Sequence, residues 1–435
     1  MQQPFSLEAA SDQATKSEPL SDQNAPPPAP PPRRRLRLGT LNIRYDFHSR
    51  HPLQAAVLQP ALSLIQGRTW GEHRWQERRD ALVDQVLFHD LDLVGFQEVL
   101  HHQLEDLVHL MDPSEYGHVG VGRDDGKHAG EAVPIFYRRR RLELLHVTHR
   151  WLSPTPDRPG SKGWDAGQPR MITLAHFRDR ARPAHSESDR RVDLIVGNTH
   201  WDDRGVQARE ESAKLILRLV AKEQARTAAG KGGVLSERDQ DLATPAGHEP
   251  LVVLLGDLNS PAEESGYQVL TGHRYPDGQA AGPPPSAAAN TEDARSTRSF
   301  YDSRHELVRR GAPGAPPGAM SRRFGPLNTY TGFEPSDIPK VIDFVLPLGN
   351  GAFLPSSSRP PPPDSASDPG PGLGAEVAQP KWRVHTYGVV PNFFEDVGGR
   401  RGGPDAGSRQ EGACDAMILS DHRLVVAAFQ EVEGR

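Results

Sequence analysis

A chain of 435 residues with a formal net charge of −6 and a pI near 6.3 carries no global basic field. Any grip on nucleic acid or phosphate must then come from a local cleft or a bound metal. One cysteine, Cys414, excludes both a disulfide framework and a thiolate zinc site.

Hydrophobic residues make up only 36% of the chain while Gly and Pro number 41 each, the composition of a globular core diluted by disordered insertions. Residues 1–34 are polar and become proline-rich (APPPAPPPRR), which predicts a disordered or polyproline-like tail. Such a run suits an SH3 or WW module and its arginines suit nucleic acid, although a solvated tail explains both. The start of the chain lacks an apolar signal core and no run approaches membrane-spanning length. An intracellular protein, cytoplasmic or nuclear, is therefore expected.

The alternating segment LRLGTLNIRYD predicts the first strand, and RWQERRDALVDQVLFHD (residues 74–90) has helical spacing. LDLVGFQEVL reads as a strand ending at Glu98, followed by the helix HHQLEDLVHLM. GEAVPIFYRRRRLELL reads as one strand, and RMITLAHFRD and RVDLIVGNTHWDD as two more. GVQAREESAKLILRLVAKE is an amphipathic helix containing Arg209 and Glu210, in which Arg209 either supports the site or, the favoured reading, is a solvated first-turn charge.

In LVVLLGDLNS, residues 251–260, five apolar residues run into Gly256, Asp257, Leu258 and Asn259. This predicts a buried strand delivering polar groups to its open end, with Asp257 and Asn259 projecting to one side if the strand continues. KVIDFVLPL and HRLVVAAFQ complete the set. Residues 225–249, 276–320 and 353–380 read as disordered loops rather than domains. One catalytic domain over 35–431 is expected, with strands and helices mixed.

Nearly every strand ends in acid, amide or imidazole: Asn42 with Asp46, Glu98, Glu131, His200 with Asp202, Asp257 with Asn259, Asp343, and Asp421 with His422. Each has a structural explanation taken singly, as a cap, a core histidine or an ion pair. Together they form a donor set of hard oxygens without thiolate, which suits Mg²⁺ or Mn²⁺ and metal-assisted attack of water on a phosphoester. Between the strands, residues 151–177 form a Pro/Gly-rich segment holding Trp151, Trp164 and Arg170. Trp164 and Arg170 either bind substrate, by stacking and by gripping phosphate, or anchor the loop through burial and an ion pair. GVGRDDGKHAGE, residues 120–131, is placed similarly.

In order, LNIRYD, GFQEVL, GEAVPIFYR, NTHWDD, GDLNS, VIDFVL and SDHRLVV resemble the endonuclease/exonuclease/phosphatase superfamily. The resemblance spans nearly all of the predicted folded region. It implies an α+β fold, a four-layer α/β/β/α sandwich of two packed mixed sheets flanked by helices. It implies a Mg²⁺- or Mn²⁺-dependent hydrolase, with Glu98 as main metal ligand and Asn42, Asp421 and Asp46 at or near the metal. Asp257 would orient or deprotonate water, with Asn259 beside it. His200 and His422 would contact the phosphate, partnered by Glu131 and Asp343 respectively. A carboxylate partner favours the cationic imidazole, so two such cations would flank one phosphate.

Among relatives, the deadenylase-type 3′–5′ exoribonucleases offer the first functional expectation, a nuclease. A phosphatase or phosphodiesterase acting on a small molecule or lipid head group is the alternative, and a catalytically silent scaffold a third reading. Asp257→Asn and His422→Ala are expected to abolish turnover and leave folding nearly intact.

Overall fold

The computed structural model describes residues 34–47, 71–181, 192–228, 249–273, 298–307, 323–334, 336–350, 352–355, 381–395 and 416–432. The Pro-rich tail up to Arg33, Cys414 and most of the three insertions lie outside the described residues. All described residues fall in one compact unit starting at Arg34.

Two mixed sheets make the frame. The first contains β1 (Arg35–Asn42), β2 (Leu93–Gln97), β3 (Tyr116–Val119), β4 (Ile135–Arg138), β10 (Lys381–Val389) and β13 (Val425–Val432), in the order β10-β13-β1-β2-β4-β3. The second contains β5 (Leu142–Trp151), β6 (Met171–Asp179), β7 (Leu194–His200), β8 (Leu251–Asp257) and β9 (Asp343–Pro347), in sequence order. β11 (Phe393–Glu395) and β12 (Ala416–Ile418) form a separate two-stranded ribbon.

Side-chain alternation assigns the layers. On β8, Leu251, Val253 and Leu255 meet Leu36, Leu38 and Leu93 of the facing sheet in one apolar cluster. Val252 and Leu254 point the other way, onto α3 (Val206–Ala228) and α4 (Ser265–Thr271) through Ile216, Val220, Tyr267 and Leu270. On the first sheet, Leu41, Val94 and Phe96 cover α1 (Trp75–Phe88) and α2 (His101–Leu110) through Leu82, Val83, Val86 and Leu107. The result is the helix/sheet/sheet/helix sandwich that the motif order implied.

The same alternation positions the chemistry. Extending each inward-facing set by two residues reaches Thr40 and Asn42 on β1, Gln97 on β2, Asn198 and His200 on β7, Asp257 on β8 and Asp343 on β9. All seven are buried, at one end of the gap between the sheets. Asn198 stitches the sheets: its Nδ2 donates to the carbonyls of Phe96 and Pro134 at 2.8 Å each, and its Oδ1 accepts from Gln97 Nε2 at 2.6 Å. A Cβ on Gly95 would stand 2.6 Å from Asn198 Cγ and Oδ1. Because Asn198 is held on three sides, Gly95→Ala is expected to cost about 1–3 kcal/mol, the usual range for overpacking, read as a lowered urea midpoint. An unchanged midpoint would show that the sheets separate freely here.

Several sequence expectations need correction. GEAVPIFYRRRRLELL is two strands in different sheets, because the arginine run turns: Arg141 N–H donates to the Arg138 carbonyl at 3.0 Å. Within the first insertion, α3 continues to Ala228. Within the second, residues 298–307 pack on the core, with Phe300 fully buried and its N–H donated to Leu270 O at 3.0 Å. Phe353, in the third, is buried as well. Arg209 is not solvated: it is buried, bonding Glu264 Oε2 through Nε at 2.9 Å and the Asp202 carbonyl through Nη1 at 3.0 Å.

Candidate active site

At the strand ends, Asn42 is the hub. Its Nδ2 donates to Glu98 Oε1 at 3.0 Å and to Asp257 Oδ2 at 3.1 Å, and its Oδ1 accepts the Arg44 N–H at 2.9 Å. Glu98 follows the last residue of β2 with φ +60°, a left-handed turn that frees its carboxylate from strand alternation. Its Oε2 accepts the Tyr45 N–H at 3.0 Å. Burial works against the Glu98 charge, but Arg44 and the hydrogen bonds from Asn42 and Tyr45 outweigh it and hold the carboxyl below its ordinary range.

Asp257 lies between the two histidines, its Oδ2 at 3.5 Å from His200 Nε2 and 3.6 Å from His422 Nε2. Burial and the neighbouring Asp343 charge push its pKa up to about 7, against the pull of His422. Behind His422, Asp343 accepts from Nδ1 at 2.9 Å and 3.1 Å through its two oxygens. Burial opposes the imidazolium, yet Asp343 and Asp257 overcome it and push the pKa of His422 up to about 10. This surrounding favours the cationic form of His422.

His200 is the opposite case. Arg170 Nη1, not a carboxylate, stands 3.1 Å from its Nδ1. Burial and then the charges of Arg170, Arg123 and His422 hold its pKa well below the ordinary histidine value. Glu131 is committed elsewhere, forking with Arg123 Nη1 at 2.6 Å and Nη2 at 3.0 Å. The carboxylate expected behind His200 is thus replaced by Arg170, with Glu131 paired to Arg123.

Asn259 is not on the same strand face as Asp257. β8 ends at Asp257, Asn259 has φ +46°, and its N–H donates to Asp257 Oδ1 at 2.9 Å. Its side chain nevertheless reaches the site, with Nδ2 at 3.1 Å from both His200 Nε2 and the Trp201 carbonyl.

Asp421 is buried beside His422 and in electrostatic reach of Glu98 and Arg44, and burial raises its carboxyl pKa. Asp46 is turned to the start of α2, with its Oδ2 3.1 Å from His102 Nε2 and its N–H on Gln103 Oε1 at 3.2 Å. Asp202 organises loops, accepting the N–H groups of Gly205 at 2.8 Å and Gly167 at 3.0 Å. Arg170 is buried and also bonds Asp203 Oδ1 at 2.9 Å, while Trp164 packs half-buried on the α3/α4 cluster. Trp151 is buried with its Nε1 on the Arg123 carbonyl at 2.6 Å. These contacts anchor the segment.

Three residues at the site were not singled out from sequence. Arg44 sits 4.0 Å from Glu98 Oε2 and 3.2 Å from Glu72 Oε2. Arg123 supports the His200 side, and Tyr330 lays its ring across His422 with centroids 5.0 Å apart at 63°. Arg44 lies inside LNIRYD and Arg123 inside the segment 120–131, which was the available signal for those two, whereas nothing in the sequence marked Tyr330.

The donor set suits a hard divalent cation. Glu98, Asp257, Asp343 and Asp421 crowd into one site, with only His422 as an imidazolium among them. A cation there relieves both desolvation and like-charge repulsion. Asp257, Asp343 and His422 also offer atoms within 4.8 Å of one another. A protonated His422 is not a metal ligand, however, and Asn42 turns its Nδ2 rather than its oxygen to Glu98 and Asp257, so the Glu98 carboxylate is the better anchor.

From residue 39 to residue 422 the chain matches the sequence pattern of the endonuclease/exonuclease/phosphatase family. The chain belongs to that family. Endonuclease/exonuclease/phosphatase proteins are typically metal-dependent phosphoester hydrolases, and the site described above has the groups for that reaction.

Solved structures share the fold. A family member from Bacteroides thetaiotaomicron is 22% identical with a TM-score of 0.56, covering 92% of this chain and 98% of its own. A mannosyl-6-phosphatase of the same organism is 22% identical with a TM-score of 0.56, covering 91% and 99%. A family member from Bacteroides vulgatus is 23% identical with a TM-score of 0.54, covering 92% and 100%. No curated protein matches the chain in sequence. Among the described residues, no helix is long and apolar enough to cross a membrane.

Proposed function

We propose that this protein is a Mg²⁺- or Mn²⁺-dependent phosphoesterase that hydrolyses a single phosphoester of a small molecule. Asp257 carries the proposal. Its buried carboxylate stands between a cationic and a neutral imidazole, with a pKa of about 7, the value that suits a general base near neutrality. Asp257 takes a proton from the attacking water, and the Asn259 and Asn42 bonds fix the direction its oxygens face. His422, held by Asp343, meets the charge that grows on the phosphoryl oxygens, and Asp421 adds to the negative field that draws a cation in. A divalent cation held by Glu98, whose carboxylate Asn42 orients, would neutralise the phosphate and polarise its ester.

The choice of a small substrate rests on the neighbouring cations. Arg44 is matched by Glu72, Arg123 by Glu131, and Arg170 by Asp202 and Asp203. Each arginine is neutralised from within, which leaves them ill-suited to the flanking phosphates of a polymer. The net charge of −6 points the same way, and a mannosyl-6-phosphatase shares the fold. The exoribonuclease-like reading is the competing one.

The test is a hydrolysis panel with Mg²⁺, with Mn²⁺ and with EDTA. It holds sugar phosphates, nucleotides, inositol phosphates, chromogenic mono- and diesters, sphingomyelin, 3′-tailed RNA and DNA. Turnover of small phosphoesters that EDTA removes and Mg²⁺ restores is the expected result. Metal-dependent shortening of RNA from its 3′ end, with small phosphoesters untouched, would replace this reading with the nuclease.

A further inference from the structure

The geometry points to Arg170 as a positioning residue that fixes His200 as the neutral tautomer bearing its proton on Nε2. His200 then acts as an uncharged hydrogen-bond donor beside Asp257, while His422 acts as a charged one.

Strand pairing creates the arrangement. β6 and β7 are antiparallel with Met171 opposite His200, so Arg170, one residue before Met171, arrives at the edge of the imidazole. Its Nη2 is tied to Asp203 Oδ1 at 2.9 Å and its Nε lies 3.7 Å from Asp202 Oδ2. That leaves Nη1 directed at His200 Nδ1, 3.1 Å away. Both side chains are buried, and a guanidinium only donates. Nδ1 must therefore present its lone pair, and in a neutral imidazole the proton then resides on Nε2.

The other ring nitrogen makes the argument sharper. Asn259 Nδ2 stands 3.1 Å from His200 Nε2, so two donors face one imidazole. A ring accepting at both nitrogens would be an anion, so one contact is not a hydrogen bond to a lone pair. The charge-assisted bond from Arg170 is the stronger. Nε2–H is then free for Asp257 Oδ2, 3.5 Å away, or for a phosphoryl oxygen of the substrate.

Arg123 does not displace Arg170 in this role. Its guanidinium is forked onto Glu131, across the small cavity that Arg123, Glu131, Arg170 and His200 line together.

The inference rests on the phosphoesterase reading only for its kinetic arm, because the tautomer is read without substrate. The full-length protein with ¹⁵N-labelled histidine gives the first readout, with the His200 signal assigned by its loss in His200→Asn. Near neutral pH, Nδ1 is expected to resonate as a bare nitrogen and Nε2 as a protonated one. In Arg170→Met the single tautomer is lost. For a chromogenic phosphoester with Mg²⁺, kcat then falls on the order of 10–100-fold, the usual weight of such supporting partners, with KM little changed. Arg170→Lys, which keeps one charged donor, recovers part of both signals.

A wild-type His200 that is protonated on Nδ1 overturns the inference. So does an Arg170→Met protein that folds and keeps the tautomer. The wild-type spectrum decides the matter even if Arg170→Met does not fold. A protein without phosphoesterase activity that shows the tautomer would sink the functional reading alone.

Discussion

Asp257→Asn is expected to lower kcat for metal-dependent phosphoester hydrolysis by about 10²–10⁴-fold, the range general-base groups contribute. Asn42 Nδ2 and the Asn259 N–H reach different oxygens of Asp257, at 3.1 Å and 2.9 Å, so the amide keeps an acceptor for one of them and turns its NH2 to the other, and it cannot accept the proton of water. Stability should move the other way. Burial and Asp343 raise the Asp257 pKa to about 7, so at higher pH the folded state holds a carboxylate it disfavours. Relative to an unfolded carboxyl, that group contributes stability at low pH and loses it as pH rises through about 7. Removing the charge is therefore expected to favour Tm most above pH 7, against the cost of the one donor that the amide leaves unmet.

The same pKa fixes the acid limb of the rate. Wild-type kcat/KM is expected to rise with pH as Asp257 loses its proton, in a limb that the bound divalent cation of the active enzyme would place below 7 by favouring the carboxylate. Asp257→Asn removes the limb. Rates near wild type in a folded Asp257→Asn protein would take the role of base away from this residue.

His422→Ala is expected to cost about 10²–10³-fold in kcat, the usual loss when a donor to developing charge is removed. The alkaline limb supplies an independent check. His422 acts as a cation, and its pKa is about 10, so the wild-type rate falls as pH rises through that value. In His422→Ala this fall disappears.

The sequence expectation that this variant folds almost normally does not survive the structure. Asp343 is fully buried and hydrogen-bonded to His422 through both oxygens. Deleting the imidazole strands a buried carboxylate, a change worth about 3–5 kcal/mol. His422→Gln retains a donor for Asp343 without the positive charge. It is expected to recover much of the stability, measured by urea unfolding, and little of the activity. Recovery of both would mean that the charge on His422 is dispensable.

What the sequence determined by itself follows from short-range rules. Apolar runs and alternation located β1, β2, β6, β7, β8, β9 and β13, and helical spacing located α1, α2 and α3, because these patterns are written within about 10–20 consecutive residues. GDLN and SDH, in order with the other motifs, were enough to point to the superfamily. Two strands escaped for different reasons: β3 has only four residues, and the nine-residue β10 follows a proline-rich stretch that masked it. The break between β4 and β5 was also hidden, since the arginines that turn there look like strand surface until the two sheets are seen.

Only the tertiary structure decided the partners of the two histidines. His200 and His422 carry the same side chain in similar strand-end settings, and sequence assigned both a carboxylate partner. Strand pairing set Arg170 beside His200, while β9 set Asp343 beside His422. Charge at a buried imidazole depends on which group lies within a few ångströms in space. Partners 30 and 79 residues away along the chain leave no periodic trace from which that choice can be read.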